Sequence, residues 1–240
     1  MEIRFDEQVA IVTGAGRGLG RAHAIAMASK GAKVVVNDFS GSQEISENAN
    51  SVVEEIISAG GEAIANGANV ANFDQVQCMV NETIDKWGRV DILVNNAGIL
   101  RDKTFLKMSV EDMREVIDVH LMGSLNCSKA VWETMREQSY GRIVLTSSSS
   151  GLYGNFGQTN YGAAKMAMVG IMNTLHLEGM KYNIKVNCLA PTAGTAMTDG
   201  LFPEPVFTLM PPESVSPGVV FLCSKDAPSR KVLAAGGGSF

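Results

Sequence analysis

Short runs of β-branched residues alternate with longer amphipathic stretches along most of the chain. Val9-Ala-Ile-Val-Thr13 and Lys33-Val-Val-Val36 are typical of the short runs, and both have the apolar character of buried strands. The stretches between such runs have the length of helices, and several of them end at glycine. This alternation is typical of βαβ units, in which helices connect parallel strands and cover the sheet.

The positions of these runs predict the order of elements. We expect strands at residues 9–13, 33–36, 62–65, 90–94, 141–146, 184–189 and 231–234. We expect helices at residues 19–29, after the polar segment 40–50 up to about 59, and at 75–87, 110–138, 161–179 and 217–223. Residues 191–216 are rich in proline and methionine and read as irregular sequence with fragments of helix.

The fold class that follows is α/β. The 240 residues contain no internal repeat and no low-complexity linker, so we expect a single domain over residues 1–240. It should be a Rossmann-type doubly wound domain, with a parallel sheet of about seven strands flanked by helices on both faces.

Composition excludes several functional classes. Twenty Lys and Arg residues against 25 Asp and Glu residues give a net charge of −5, which is a poor match for the phosphate backbone of nucleic acid. The first residues are charged where a signal peptide requires an apolar core, and no apolar run approaches the ~20 residues of a membrane span. We therefore expect no nucleic-acid partner and no membrane partner.

Cysteine and histidine show no metal-binding spacing. The four cysteines stand apart without a CxxC pair: Cys78, Cys127, Cys188 and Cys223. The three histidines form nothing like an HExxH motif: His23, His120 and His176. We expect no metal site, and reduced, mostly buried thiols rather than disulfides.

A glycine-rich turn joins the first predicted strand to the first predicted helix, in Thr13-Gly-Ala-Gly-Arg-Gly-Leu-Gly20. Glycine lets the backbone turn tightly and approach a pyrophosphate, whose charge then meets the N-terminus of the helix. The turn therefore predicts dinucleotide binding. Its expected cofactor-binding residues are Gly14, Arg17, Gly18, Leu19 and Gly20.

An acidic residue ends the second predicted strand. Asp38 lies 18 residues beyond Gly20, where a carboxylate can accept hydrogen bonds from the adenosine ribose and repel the 2′-phosphate of NADP. Arg17 favours the opposite choice, because a guanidinium in the cradle attracts phosphate. Asp38 lies closer to the discriminating hydroxyl, so we expect NAD, with NADP as the less favoured cofactor.

Three further motifs follow in order. Asn95-Asn-Ala-Gly98 comes directly after the fourth strand, and Tyr161-Gly-Ala-Ala-Lys165 opens a predicted helix. Ser148 lies 13 residues before Tyr161. Together with the spacing Gly14-x3-Gly18-x-Gly20, these motifs resemble the short-chain dehydrogenase/reductase family over nearly the whole chain. The resemblance implies an NAD(P)-dependent oxidoreductase that acts on a secondary alcohol.

The chemistry of the last two motifs can be argued from the residues. Tyr161 and Lys165 are four residues apart, so both project from one face of a helix. An ammonium beside a phenol lowers the phenol pKa from ~10 towards neutrality, and the phenolate can then take a proton from an alcohol. Ser148 would hydrogen-bond the reacting oxygen. We expect Ser148, Tyr161 and Lys165 to be catalytic; the alternative is an ordinary helix beside a run of serines.

The resemblance implies further cofactor contacts. The backbone of Asn96, Ala97 and Gly98 should approach the adenosine side, and Tyr161 and Lys165 should also border the cofactor. Asn69 and Val70 occupy the place of the acidic-Val pair with which relatives contact adenine. Pro191 and Thr195 lie in the stretch that relatives use to hold the carboxamide.

Two positions depart from the family pattern. Most relatives have an asparagine, part of a Ser/Tyr/Lys tetrad, where this chain has His120. His120 either binds a relay water or is a packed helix residue. Thr192 replaces the glycine of the family's Pro-Gly, which removes some backbone freedom beside the nicotinamide.

Four segments are similar to one branch of the family, the (3R)-hydroxyacyl-CoA dehydrogenase domains of peroxisomal multifunctional enzymes type 2: residues 36–39, 96–102, 119–124 and 153–161. The similarity implies oxidation of (3R)-3-hydroxyacyl-CoA to 3-ketoacyl-CoA with NAD, a step of fatty-acid oxidation. Residues 191–216 would then form a lid segment on the substrate side. Its apolar residues either contact the acyl chain or pack onto the core: Met197, Leu201, Phe202, Val206, Phe207, Leu209 and Met210.

Two other functions stay open. A 3-ketoacyl carrier-protein reductase runs the same chemistry backwards with NADPH, against the preference that Asp38 predicts. A catalytically silent nucleotide-binding sensor or scaffold belongs to a different class, and the complete set of Ser148, Tyr161 and Lys165 argues against it.

The predicted helices at 110–138 and 161–179 carry apolar residues on more than one face. Together with the resemblance, this favours a homodimer or a homotetramer, although a helix buried inside a larger core would show the same pattern. We expect a small-molecule acyl thioester as substrate and a cytoplasmic location. A peroxisomal location is the alternative if the chain is part of a longer multifunctional protein.

Overall fold

Seven parallel strands form one sheet in the order β3-β2-β1-β4-β5-β6-β7. The computed structural model describes residues 2–42, 44–196, 198 and 204–240. The strands are β1 (Val9–Thr13), β2 (Lys33–Asn37), β3 (Glu62–Asn66), β4 (Ile92–Asn95), β5 (Gly141–Thr146), β6 (Ile184–Thr192) and β7 (Val232–Gly236). The chain winds outwards from β1 to β3 and then returns to continue at β4 on the other side. The carboxyl ends of β1 and β4 therefore form the crevice where ligands bind in sheets of this kind.

Helices cover both faces of this sheet, as the alternating pattern predicts. They are α1 (Gly18–Ala28), α2 (Glu47–Ser58), α3 (Phe73–Trp87), α4 (Val110–Ile117), α5 (Gly123–Gln138), α6 (Ser149–Tyr153), α7 (Thr159–Gly179), α8 (Glu204–Thr208) and α9 (Ser216–Cys223). Alternate strand residues serve opposite faces: Val12 packs in the cluster that includes α1 and α2, whereas Ile11 packs in the cluster that includes α3 and α7. The single doubly wound α/β domain predicted from the sequence is confirmed.

The predicted helix at 110–138 is not one uniform α-helix. A π-helical turn, Asp118–Met122, separates α4 from α5, and it contains His120. A single π turn inside a helix is too short to show a period of its own in the sequence. Such turns are frequent at functional sites.

Helix α6 was missed by the sequence analysis. It begins directly after Ser148, whose hydroxyl accepts a hydrogen bond from the backbone N–H of Ser150 at 3.2 Å. Five residues are too few to show a helical period. The following α7 begins at Thr159, two residues before the predicted start at Tyr161.

The cysteines are all free, with Cys127, Cys188 and Cys223 buried and Cys78 exposed. Within the described ranges no group of three or more His, Cys, Asp or Glu residues is arranged to hold a metal ion. No helix in the same ranges has the length and apolar character needed to cross a membrane.

The predicted irregular stretch 191–216 contains the end of β6, the short helix α8 and a 3-10 turn, Pro212–Ser214. Three of its apolar residues, Met197, Leu201 and Phe202, lie outside the described residues, and the side chain of Val206 is not described.

Candidate active site

The glycine turn at the end of β1 forms a cradle in which Gly14, Gly16, Gly18 and Gly20 carry no side chains. Gly14 and Gly18 have φ of +61° and +55°, in the left-handed region that favours glycine. A Cβ on Gly20 would overlap the carbonyl oxygen of Gly14 and would lie 2.5 Å from Asn96 Nδ2. The turn therefore leaves open a path for a pyrophosphate to reach the N-terminus of α1. These residues fit the dinucleotide predicted from the sequence.

Asn96 and Ala97 fasten this cradle to the end of β4. The Asn96 side-chain amide donates to the carbonyls of Thr13 at 2.9 Å and Gly14 at 3.1 Å. The backbone N–H groups of Asn96 and Ala97 both donate to the Thr13 hydroxyl, at 3.0 Å each. Sequence reasoning did not single out Thr13, although a hydroxyl residue at the end of a buried strand is a usable signal.

Asp38 lies beside the same turn, at the end of β2. A Cβ on Gly16 would overlap the Asp38 carboxylate, so the absence of a side chain at Gly16 lets the two segments touch. The Ser46 hydroxyl donates to Asp38 Oδ2 at 2.8 Å. Arg17, the other residue weighed for cofactor choice, is exposed on the turn. The structure thus brings Asp38 and the cradle together.

Asn69 and Val70 follow β3 and border the next part of the crevice. Asn69 Oδ1 accepts from the backbone N–H of Ala71 at 3.0 Å, so its side chain is used to shape the turn. The Val70 carbonyl accepts from Asn126 Nδ2 at 2.9 Å, which joins this turn to α5. The side-chain amides of Asn69 and Asn126 therefore fix the turn after β3 and join it to α5.

Ser148, Tyr161 and Lys165 lie beyond the carboxyl end of β5. Lys165 is 4% exposed, and its Nζ donates to the Thr146 carbonyl at 2.7 Å. The same Nζ lies 5.5 Å from the centre of the Tyr161 ring. Ser148, the N-cap of α6, hydrogen-bonds the Tyr161 hydroxyl. The three residues predicted to be catalytic are thus neighbours.

The pKa expected for Tyr161 needs a correction. Burial raises the pKa of the Tyr161 phenol above its ordinary value, and the charge of Asp102 adds to this; the hydrogen bond from Ser148 acts in the opposite direction but does not prevail. Burial lowers the pKa of Lys165 to about 7, so this ammonium is itself only partly charged at neutral pH. A lowered Tyr161 pKa would require a full charge on Lys165, whereas burial removes water from both groups.

His120 is buried next to Tyr161, with its ring edge-on at 5.2 Å between ring centres. Its Nε2 lies 3.0 Å from the backbone nitrogen and 2.8 Å from the carbonyl oxygen of Ile99, and Nδ1 is buried without a partner among the described residues. Burial lowers the His120 pKa to about 3, so the ring is neutral. A Cβ on Gly98 would overlap this ring, which explains the glycine there.

The last cofactor-binding candidates lie after β6. Pro191 is inside β6 and pairs with Ala235 of β7. The Thr195 methyl lies 3.6 Å from the position of a Cβ on Gly18, so the segment after β6 passes over the glycine cradle. The backbone N–H of Thr195 donates to the Thr198 hydroxyl at 2.8 Å, which stabilises the turn.

Comparison with known proteins agrees with this geometry. The family model described as short chain dehydrogenase matches residues 8–205. The chain belongs to the short-chain dehydrogenase family. It is therefore an oxidoreductase of a family that binds NAD(P), typically acts on small molecules and forms oligomers.

The relatives have different functions. A short-chain type dehydrogenase/reductase of Mycobacterium tuberculosis is 49% identical, covering 97% of this chain and 83% of its own length. The peroxisomal multifunctional enzyme type 2 of Drosophila melanogaster is 48% identical over 92% of this chain, which spans only 37% of that enzyme. A 3-oxoacyl-[acyl-carrier-protein] reductase of Synechocystis is 45% identical, over 92% of this chain and 90% of that protein.

Two solved structures share the fold closely. A short chain dehydrogenase from Mycobacterium avium has a TM-score of 0.88 at 42% identity, covering 98% of this chain and 84% of its own. A 7α-hydroxysteroid dehydrogenase complexed with NADH and 7-oxo glycochenodeoxycholic acid has a TM-score of 0.89 at 31% identity, covering 98% of this chain and 95% of its own.

Proposed function

We propose that the protein oxidises (3R)-3-hydroxyacyl-CoA to 3-ketoacyl-CoA with NAD. The observation that carries this proposal is the grouping of Ser148, Tyr161 and Lys165 at the end of the sheet that also holds the glycine cradle and Asp38. A proton-transfer group beside a dinucleotide cradle is what the reversible oxidation of an alcohol requires.

In this proposal Tyr161 takes the hydroxyl proton of the substrate at its phenolic oxygen, and returns it in the reverse direction. Ser148 donates a hydrogen bond to the reacting oxygen and stabilises its developing charge. Lys165, held by the Thr146 carbonyl, supplies positive charge that favours the phenolate. When bound, the nicotinamide ring supplies the hydride acceptor.

NAD is favoured over NADP by the position of Asp38. Its carboxylate lies against the cradle where a ribose would follow the pyrophosphate, and a second negative group there repels a 2′-phosphate. The structural neighbour that was solved with NADH is consistent with this choice. We assign cofactor contacts to the residues predicted above, from Gly14, Arg17, Gly18, Leu19 and Gly20 to Asn69, Val70, Asn96, Ala97, Gly98, Pro191 and Thr195.

An acyl thioester is favoured by exposed apolar side chains on the segment between Ser148 and Tyr161 and on the segment hydrogen-bonded to it. Four large ones are exposed on the segments before α4 and around α6: Phe105, Leu106, Tyr153 and Phe156. The two segments are joined by the Lys103 N–H, which donates to the Gly157 carbonyl at 3.0 Å. Residues 191–216, which we assign as the lid, add exposed Leu209. The similarity to multifunctional enzymes type 2 supports the CoA ester.

A panel of (3R)- and (3S)-3-hydroxyacyl-CoA esters of varied chain length tests this substrate. We expect formation of NADH with (3R) esters only, and a rate that depends on chain length. Phe156→Ser should weaken the binding of the longer esters more than that of the short ones. Failure of every (3R) ester would remove the substrate assignment and leave the family unchanged.

A second function, 3-ketoacyl carrier-protein reduction with NADPH, is favoured by the Synechocystis relative, of which this chain covers 90%. The two functions differ in cofactor and carrier. Reduction of a 3-ketoacyl carrier-protein with NADPH at a higher kcat/KM than NADH-linked turnover of the CoA ester would support the reductase.

A silent nucleotide sensor predicts no turnover at all. Tyr161→Phe separates the cases, because it removes the proton-transfer group and keeps the ring. We expect it to lower kcat by about 10²–10⁴-fold with little change in NADH affinity. If the wild type binds NADH tightly but its kcat is no higher than that of Tyr161→Phe, the function as a nucleotide sensor is favoured.

We also propose a homodimer or homotetramer in the cytoplasm, with a peroxisomal location as the alternative. Met166 and Leu177 on α7 and Met180 just beyond it are exposed and apolar, at 49%, 63% and 62%. Such a face favours a partner of the same chain. Sedimentation tests it, and a monomer at micromolar concentration would contradict the assembly.

A further inference from the structure

One serine hydroxyl joins Asp38 to the start of α2. The Ser46 hydroxyl donates to Asp38 Oδ2 at 2.8 Å and accepts from the backbone N–H of Ala49 at 3.0 Å. Ser46 is only 5% exposed, so water competes little for these bonds. The hydroxyl has one proton, and the Ala49 N–H cannot accept it, so the proton points at Asp38.

Asp38 is confined from other sides as well. Its backbone N–H donates to the Asn66 carbonyl at 3.0 Å. The carboxylate fills the space next to Gly16, and a Cβ on Gly16 would lie only 2.9 Å from the Cβ of Asn48 in α2. A bridge between Phe39 and Ile45 closes the loop that returns the chain to Ser46. With Oδ2 held by Ser46, Oδ1 is the oxygen left to accept from a ligand.

We propose that Ser46 is a positioning residue that determines the choice between NAD and NADP. It holds the Asp38 carboxylate in the orientation that receives a ribose hydroxyl, and a 2′-phosphate enters only if Asp38 turns away and breaks the Ser46 bond. The inference rests on the NAD preference proposed above and deepens it: the carboxylate selects the cofactor because the N-terminus of α2 holds it in place.

Ser46 is also the N-cap of α2, so a variant must separate cofactor choice from helix stability. Ser46→Gly removes the hydroxyl but keeps a residue that is nearly as good at an N-cap. Ser46→Thr keeps the hydroxyl. Ser109→Gly is the matched control, because Ser109 caps α4 in the same way, accepting from the Asp112 N–H at 3.0 Å, and does not contact Asp38.

The experiment measures the dissociation constants of NADH and NADPH by nicotinamide fluorescence, with the thermal unfolding midpoint of each protein. We expect Ser46→Gly to bind NADH about fivefold more weakly, the loss of one hydrogen bond to a charged acceptor, with NADPH unchanged or tighter. Ser46→Thr and Ser109→Gly should stay within about twofold of the wild type.

The proposal is overturned if Ser46→Gly binds NADH with an affinity within about twofold of the wild type. It is also overturned if Ser109→Gly weakens NADH binding as much as Ser46→Gly does. The NAD preference itself is read from the wild type alone. A wild type that binds NADPH more tightly contradicts the NAD preference, while the change of NADH affinity in Ser46→Gly still decides the role of Ser46.

Discussion

Burial acts in opposite directions on the two titratable groups of the proposed catalytic site. It raises the pKa of the Tyr161 phenol and lowers that of the Lys165 ammonium to about 7, because water stabilises both charged forms and is excluded from both. Near neutrality the proton therefore stays on Tyr161, and Lys165 is only partly charged. The site in this structure is poised to donate a proton rather than to accept one.

The pH dependence of turnover follows from this state of Tyr161. Oxidation needs the phenolate, and the pKa of Tyr161 is raised, so kcat/KM for the alcohol should rise with pH through the whole neutral and alkaline range, and reduction should fall. Ser148→Ala removes the hydrogen bond that lowers the Tyr161 pKa and should move the inflection to higher pH. An oxidation rate that falls as the pH rises would contradict this assignment.

Lys165 should also reduce the stability of the fold. Its folded pKa of about 7 lies below its ordinary value of 10.5, so the unfolded chain binds the proton more readily than the folded one. Lys165→Met should raise the free energy of unfolding by about 0.5–2 kcal/mol at low pH. The gain should be full below about pH 7 and shrink as the pH rises towards 10.5. Urea unfolding at two pH values measures it, and a less stable variant at low pH would refute it.

At the scale of elements, the turn between β1 and α1 was predictable and the helix after β4 was only partly so. The glycine spacing, together with the flanking strand, the following helix and Asp38, predicted a phosphate cradle, and its backbone is open in the structure. The π-helical turn Asp118–Met122 gave no signal, because five residues are too few to show a period of their own.

Gly20→Ala tests the cradle. The new Cβ would overlap the Gly14 carbonyl and contact Asn96, so the turn must shift, and we expect NADH to bind at least about tenfold more weakly. Gly170→Ala is the control: a Cβ there has nothing within 4 Å, and alanine favours a helix. Titration of NADH fluorescence compares the two. Equal affinities would mean that the cradle is not used.

At the scale of the molecule, the two ends of the sheet have separate tasks. The carboxyl ends carry the cradle and the catalytic candidates. Near the amino end of β5, Arg142 is 1% exposed and donates to the carbonyls of Asn183 at 2.8 Å, Ser224 at 3.0 Å and Lys225 at 3.0 Å. This guanidinium fastens β5 to the segments before β6 and after α9, and it touches none of the proposed site residues named above.

Arg142→Lys should therefore change stability and leave cofactor binding unchanged. The ammonium cannot reach all of these carbonyls, so buried acceptors lose their donors, and we expect a loss of about 2–4 kcal/mol in the free energy of unfolding. Arg136 is exposed and hydrogen-bonded to the Tyr182 hydroxyl, and Arg136→Lys should change the free energy of unfolding by less than about 0.5 kcal/mol. Denaturant unfolding and NADH titration check both. Weaker NADH binding by folded Arg142→Lys would mean that the two ends are coupled.

The amino-acid sequence by itself determined the order of the strands and of the longer helices, the glycine cradle and the residue types of the site. These follow from local spacing: a buried strand, a glycine-rich turn, and Tyr161 and Lys165 on one helix face. Only the tertiary structure decided the surroundings of those residues. Asp38 meets Ser46, Lys165 meets the Thr146 carbonyl, and His120 meets Ile99 through contacts that join residues of different elements or loops. A pKa depends on how much water those contacts remove, and spacing along the chain carries no measure of that.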